Sequence, residues 1–227
     1  MRIYEDRYTR ERLRFHVALR FIRLEARTQT IRHWTGLTDD RIRKLYRSYL
    51  AHCGLPLARH RGKSPQRVAV FVRSARLRQE SSLLASLFRL LGALPALPAP
   101  PAPPIQPGGA GTVAARPSLL RAQLLCEAYE LYRTLLGSPA LGFEHAVFLL
   151  QALLLADELT VAPCPDCEAL VVMDRWALYP VRCAPCAAAS LSRPAALGRA
   201  SAAADLPVAP ALCKTARDDQ SHARATP

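Results

Sequence analysis

Cys164 and Cys167, then Cys183 and Cys186, form two Cys-x-x-Cys pairs with fifteen residues between them. This spacing constrains the chain more than any other feature. Each pair supplies two thiolates from one tight turn, and two such turns meeting at one point give the tetrahedral four-sulfur geometry that zinc favours. A thioredoxin-type redox site would instead need one such pair opening a helix after a strand. Four thiolates leave no open coordination position, so the expected role is structural: one Zn²⁺ per chain, held by Cys164, Cys167, Cys183 and Cys186. Binding of that kind contributes about 10–16 kcal/mol to the fold around it, far more than a short hairpin gains by packing. Between the pairs, Leu170–Met173 and Tyr179–Val181 have strand character, which predicts a hairpin within Glu168–Arg182. Pro163, Pro165 and Pro185 stiffen the two turns.

The other 223 residues are unevenly charged. The formal net charge of the 227-residue chain is +13. Residues 1–94 carry 21 Lys+Arg against 7 Asp+Glu, whereas residues 95–227 carry 10 against 11. A GC-rich coding bias towards arginine would act along the whole length, so the partition calls for another cause. Concentrated positive charge is the electrostatic footprint of phosphate binding. Met1–Arg23 is charged throughout, with no apolar core of a secretory signal. The longest apolar stretch, Ala146–Ala156, is interrupted by Gln151 and is too short to span a bilayer. Seven cysteines, four of them in metal spacing, fit a reducing cytoplasm better than a disulfide scaffold. Cys53, Cys126 and Cys213 sit in no ligand spacing and read as ordinary small residues.

Ala, Leu and Arg outweigh the strand-favouring residues, so the expected fold is mostly α: a helical N-terminal domain with a helix–turn–helix-like segment, plus a small C-terminal four-cysteine zinc ribbon. Periodicity predicts helices over 5–26, 26–33, 39–51, 66–94, 118–136 and 143–159. The last is apolar on nearly every side except Glu144, His145 and Gln151, as a buried helix is. Residues 95–117 hold eight prolines with Gly108, Gly109 and Gly111 and read as a loop or insertion. The expected organisation is therefore a basic helical DNA-binding region at 1–94, the Pro-rich stretch 95–117, apolar helices at 118–160 completing the core, a zinc-binding module at 161–189, and a tail at 190–227 whose Ala/Pro/Ser-rich composition predicts disorder.

Within the basic region, Gly36 is followed by Leu37, then Ile42 and Leu45 at five and eight residues beyond it, and Ile31 precedes the turn. This is the spacing of a helix–turn–helix. Thr38 is a good N-cap, and Asp39 and Asp40 suit the positive end of the helix that follows. Arg43, Lys44 and Arg47 then lie on its outward face, with Arg41 near its start, placed to reach guanine edges or phosphates. The same pattern also describes an amphipathic helix with a solvated basic face. Arg32 stands four before the glycine, where a small residue is usual. No Gly-rich phosphate loop and no His-Glu-x-x-His sequence is present. Glu144-His145 has no nucleophile in fixed relation to it, so the chain does not read as an enzyme.

The segments Ala26-Arg27, Gly36-Leu37-Thr38, Arg41-Ile42 and Lys44-Leu45-Tyr46 resemble the helix–turn–helix stretch of the FlhC family, the C subunits of the FlhDC activator of bacterial flagellar genes. The order also resembles that family: a basic helical N-terminus, an Ala128-Tyr129…Leu131-Tyr132 helix, a long apolar helix, then the two cysteine pairs. The likeness covers roughly residues 10–190. It implies a cytoplasmic DNA-binding transcriptional activator that turns on class II flagellar genes and motility. It further implies a D-type partner in a heterohexamer of four D and two C subunits, contact with RNA polymerase, and a structural zinc on the four cysteines. Arg41, Arg43, Lys44 and Arg47 carry over as candidate contacts to promoter DNA. The Pro-rich stretch would then be an insertion looping out of the helical core. Two rival classes remain open: a zinc-ribbon RNA-binding protein and a redox-sensing zinc chaperone.

Overall fold

A computed structural model describes residues 2–53, 65, 67–95 and 117–192. The Pro-rich stretch, except Pro95 and Pro117, and the tail beyond Ser192 lie outside the described residues. The fold is mostly helical, with a β-hairpin and the four-cysteine cluster towards the C-terminus. In chain order the elements are α1 (Arg2–Arg23), α2 (Thr28–Thr35), α3 (Asp39–Cys53), a 3₁₀ turn (Val68–Phe71), α4 (Ala75–Leu90), α5 (Leu119–Leu136), α6 (Phe143–Leu155), β1 (Leu159–Pro163), β2 (Leu170–Asp174) and α7 (Ala184–Ser192). No helix among the described residues is long and apolar enough to cross a membrane.

The first helix stops earlier than its periodicity predicts. Glu25 takes a left-handed conformation (φ 61°). The Ala26 N–H then reaches the Phe21 carbonyl (2.9 Å) and the Glu25 N–H the Ile22 carbonyl (3.0 Å). That pair of bonds is a Schellman ending, made here without the glycine that usually announces it. It turns the chain so that α2 packs back on α1. The stretch 66–94 is also broken. After the 3₁₀ turn, the Ser74 hydroxyl accepts from the Leu77 N–H (3.2 Å) and starts α4 afresh. Ser118 caps α5 in the same way through the Arg121 N–H (3.2 Å).

One hydrophobic core joins these elements. Val17, Phe21 and Ile22 of α1 meet Ile31 and Trp34 of α2, Leu84 and Phe88 of α4, Leu125, Tyr129 and Tyr132 of α5, and most of α6. Phe143 sits edge-on to both Phe21 (5.0 Å) and Tyr129 (5.2 Å). The hairpin does not stand apart, since Leu159, Val161 and Val172 belong to the same core. Its strands pair antiparallel from Leu159 opposite Asp174 to Pro163 opposite Leu170. The Val172 N–H, on the outer edge of β2, donates to the Ser82 hydroxyl of α4 (2.9 Å), so α4 covers the strand edge.

Two buried carboxylates pin the helices together. Glu144 accepts from the Arg27 N–H and the Thr30 hydroxyl, both at 2.9 Å. Arg27 is the N-cap of α2 and contributes no side-chain cap of its own, so α6 supplies the acceptor that the N-terminus of α2 lacks. Glu80 of α4 accepts from the Tyr132 hydroxyl, the Ala140 N–H (2.8 Å) and Arg76 Nε (2.9 Å). Burial pushes the Glu80 carboxyl up, but these three donors outweigh it and hold it below the ordinary glutamate value.

Candidate metal centre and nucleic-acid interface

The first cysteine pair forms the turn of the hairpin. The Cys164 N–H donates to the Ala169 carbonyl (2.8 Å) and the Glu168 N–H to the Cys164 carbonyl (2.9 Å). Glu168 is left-handed (φ 61°), which closes the knuckle. The second pair opens α7: Cys183 directly precedes the helix, its carbonyl accepting from the Ala187 N–H (2.9 Å), and Cys186 lies in the first turn. The strand expected at Tyr179–Val181 is not formed. β2 pairs instead with Leu159–Pro163, upstream of the first cysteine, so the hairpin brackets the first knuckle rather than joining the two. Local strand propensity was right for Leu170–Met173 and chose the wrong partner, because core packing of Leu159 and Val161 decides the pairing.

The four sulfurs all lie within 4.8 Å of one another. Four thiolates about 2.3 Å from a zinc ion would be about 3.8 Å apart at the edges of the tetrahedron, so the donor set fits a metal ion such as zinc. Cys167 and Cys183 are 3.5 Å apart at sulfur, and the Cys183 N–H donates to Cys164 Sγ (3.3 Å). Asp166, inside the first pair, bridges to Arg182, just before the second (2.9 Å). The Cys183 N–H and neighbouring amides lower the Cys164 thiol to about 6. For Cys167 the Ala169 N–H favours the thiolate, but the Cys183 and Cys164 sulfurs outweigh it and raise the thiol; in Cys186 the Cys183 and Cys167 sulfurs raise it further. Sulfurs this close do not all shed protons without a compensating cation, which a bound divalent metal would supply. Cys126, by contrast, is buried in the core, and burial pushes its thiol up to about 12. That is the behaviour of an inert core residue. The side chain of Cys53 and all of Cys213 lie outside the described residues.

At the other end of the molecule, Gly36 caps α2 in the left-handed region (φ 69°), its N–H reaching the Arg32 carbonyl. The Thr35 hydroxyl donates to the Ile31 carbonyl (2.6 Å) and accepts from the Leu37 N–H (3.3 Å), fixing the turn. Ile31, Leu37 and Ile42 are buried and Leu45 is half-buried, as the spacing predicts. Arg32 is exposed and pairs with Asp39 across the turn (3.8 Å), so the large residue at that position costs no packing. The Thr38 carbonyl accepts from the Ile42 N–H (3.0 Å), beginning α3 where expected. Arg41, Arg43, Lys44 and Arg47 are all exposed. Arg41 bonds to Glu11 of α1 (2.9 Å) and Arg43 to Asp40 (3.3 Å). Lys44 and Arg47 have no acidic partner among the described residues.

Beside His145, both Glu144 oxygens are engaged at the start of α2. Burial lowers the His145 imidazole. Sequence reasoning missed the roles of Glu80, Glu144 and Glu11. A lone acid in an otherwise apolar helix is the signal that could have flagged Glu144. It also missed a cluster on the loop after β2, where Trp176, Leu178 and Tyr179 are each at least 75 % exposed beside Arg175, whose guanidinium lies 5.7 Å from the Trp176 ring. No family model and no curated protein sequence matches this chain.

Proposed function

We propose that the chain is a DNA-binding transcriptional activator subunit, with α3 as its recognition helix and a four-cysteine structural zinc clip. The observation that carries this reading is the α2–α3 pair: a left-handed Gly36 turn, a buried Ile31/Leu37/Ile42 seam, and Arg43, Lys44 and Arg47 turned to solvent. The +14 balance of residues 1–94 supports it, because neutralised phosphates release counterions and drive binding. With the FlhC resemblance, the reading extends to flagellar promoters, a D-type partner in a four-to-two heterohexamer, recruitment of RNA polymerase, and a cytoplasmic, non-enzymatic role. The zinc, one ion on Cys164, Cys167, Cys183 and Cys186, acts as a brace and takes no part in chemistry.

The test is co-expression with a D-type subunit, metal analysis of the purified complex, and footprinting on flagellar promoter DNA. Co-purification, one zinc per chain and a protected site are expected. Failure to protect any promoter removes the DNA assignment.

One observation favours a second reading, a zinc-ribbon RNA-binding protein. Trp176 and Tyr179 on the ribbon loop offer exposed rings beside Arg175, the elements of a base-stacking platform. Competition between duplex DNA and structured RNA separates the two. RNA winning, with Trp176→Ala abolishing it, would favour this reading.

A further inference from the structure

We propose that Glu11 of α1 is a specificity-determining residue for the recognition helix, holding Arg41 for a guanine edge and discouraging contact with phosphate. This rests on the DNA-binding reading above. Helix α1 lies along α3 through two cationic contacts. Near the start of α3, Arg41 Nη1 donates to Glu11 Oε1 (2.9 Å) and the guanidinium stands 5.8 Å from the Phe15 ring centroid. Further along, the Arg23 guanidinium stands 5.7 Å from the Tyr49 ring centroid. Arg41 is thus held from two sides by one helix while about half of its side chain stays exposed.

Position matters here. Arg41 is in the first turn of α3, and the N-terminal residues of a recognition helix are those that reach base edges. The acids cluster at the same place. Asp39 pairs with Arg32 and Asp40 with Arg43, so the arginines nearest the turn each face a carboxylate. Lys44 and Arg47, one and two turns on, have no acidic partner among the described residues. The helix therefore divides into a neutralised tip and a cationic middle. The middle suits phosphates, which carry no sequence information. At the tip, a carboxylate beside each guanidinium repels a phosphate but tolerates a base edge, where guanine O6 and N7 accept from arginine. A like-charge element that penalises the wrong contact is a recognised source of specificity. Stacking on Phe15 with the Glu11 bond also limits the orientations Arg41 must give up on binding.

The experiment uses the full zinc-loaded chain, with its D-type partner where one co-purifies. The probes are a random-sequence duplex and a duplex selected by the wild-type protein from a random pool. Glu11→Gln should bind the random duplex about two- to fivefold tighter, the range expected for losing one exposed charge, and the selected-to-random ratio should fall. Glu11→Asp should keep the wild-type ratio. In an Arg41→Ala background Glu11→Gln should leave the ratio unchanged, because the orienting effect acts through Arg41. An unchanged ratio in Glu11→Gln, with Lys44→Ala/Arg47→Ala still weakening both duplexes, overturns this inference and leaves DNA binding intact. Proportional weakening on both duplexes with a lower Tm makes Glu11 a simple brace and also overturns it. Failure of the wild type to bind any duplex overturns both.

Discussion

The cysteine clip and the α2–α3 turn are built on opposite principles. At the clip, four sulfurs cluster within 4.8 Å of one another, and the residues around them are largely exposed. At the turn no single contact dominates. Ile31, Trp34, Leu37 and Ile42 contribute through one core shared with α1 and α6, and a carboxylate from α6 completes the start of α2. A concentrated site is legible from spacing and fails all at once when one ligand is lost. A distributed one is legible only as a pattern and fails in proportion to what is removed.

The largest effect should come from the clip. Cys167→Ser, or chelation of the wild type, should abolish metal binding and release α7, while far-UV helicity from α1–α6 is largely kept. Metal analysis with hydrogen exchange across 159–192 reads this directly. Protection lost equally in α2 and α3 would show that the two regions are one cooperative unit and break the contrast.

Next in size is the α6 anchor. Glu144→Ala strands the Arg27 N–H and the Thr30 hydroxyl, and should cost about 1–3 kcal/mol by chemical denaturation, with zinc content unchanged. Glu80 adds a pH dependence to the same core. Its folded value lies below the ordinary value of 4.5, so the unfolded chain binds the extra proton. The stabilisation is present above about pH 4.5 and lost as pH falls through the lower folded value. Denaturation midpoints followed from pH 6 downwards should therefore fall more steeply in wild type than in Glu80→Gln.

The proposed DNA-facing surface of α3 comes third. Lys44→Ala with Arg47→Ala should reduce the slope of log affinity against log salt by roughly 2, with Tm and metal content as in wild type. An unaltered slope would take α3 out of phosphate contact. The smallest effect is at the knuckle. Glu168 holds φ 61° with a side chain, so Glu168→Gly should stabilise the zinc-loaded protein by about 1 kcal/mol, read as a rise in Tm. No gain would mean that the entropy glycine adds to the unfolded chain cancels the relief at φ 61°.

Much of this was legible beforehand, unevenly. The quartet was read from spacing because thiolate chemistry is carried by four residues of one type at fixed intervals. The Gly36 turn was read because a left-handed cap favours glycine. The end of α1 was not, because Glu25 adopts the same conformation with no glycine to signal it. Nor was the partner of β2, since Leu159–Pro163 and Tyr179–Val181 both have strand character and only the shared core distinguishes them. The departure at Arg32 looked like a flaw in the helix–turn–helix pattern. It is harmless because that position faces solvent and pairs with Asp39.

By itself, then, the sequence determined the helical class, the four-cysteine cluster and the concentration of charge in the first 94 residues, because each depends on residue type at short or fixed separation. Tertiary structure alone decided what joins across long separations: Glu144 with the start of α2, Glu80 with Tyr132, Glu11 with Arg41. Those pairs are set by which helix faces meet when the apolar surfaces are buried, and no local period in the chain encodes which acid ends beside which base.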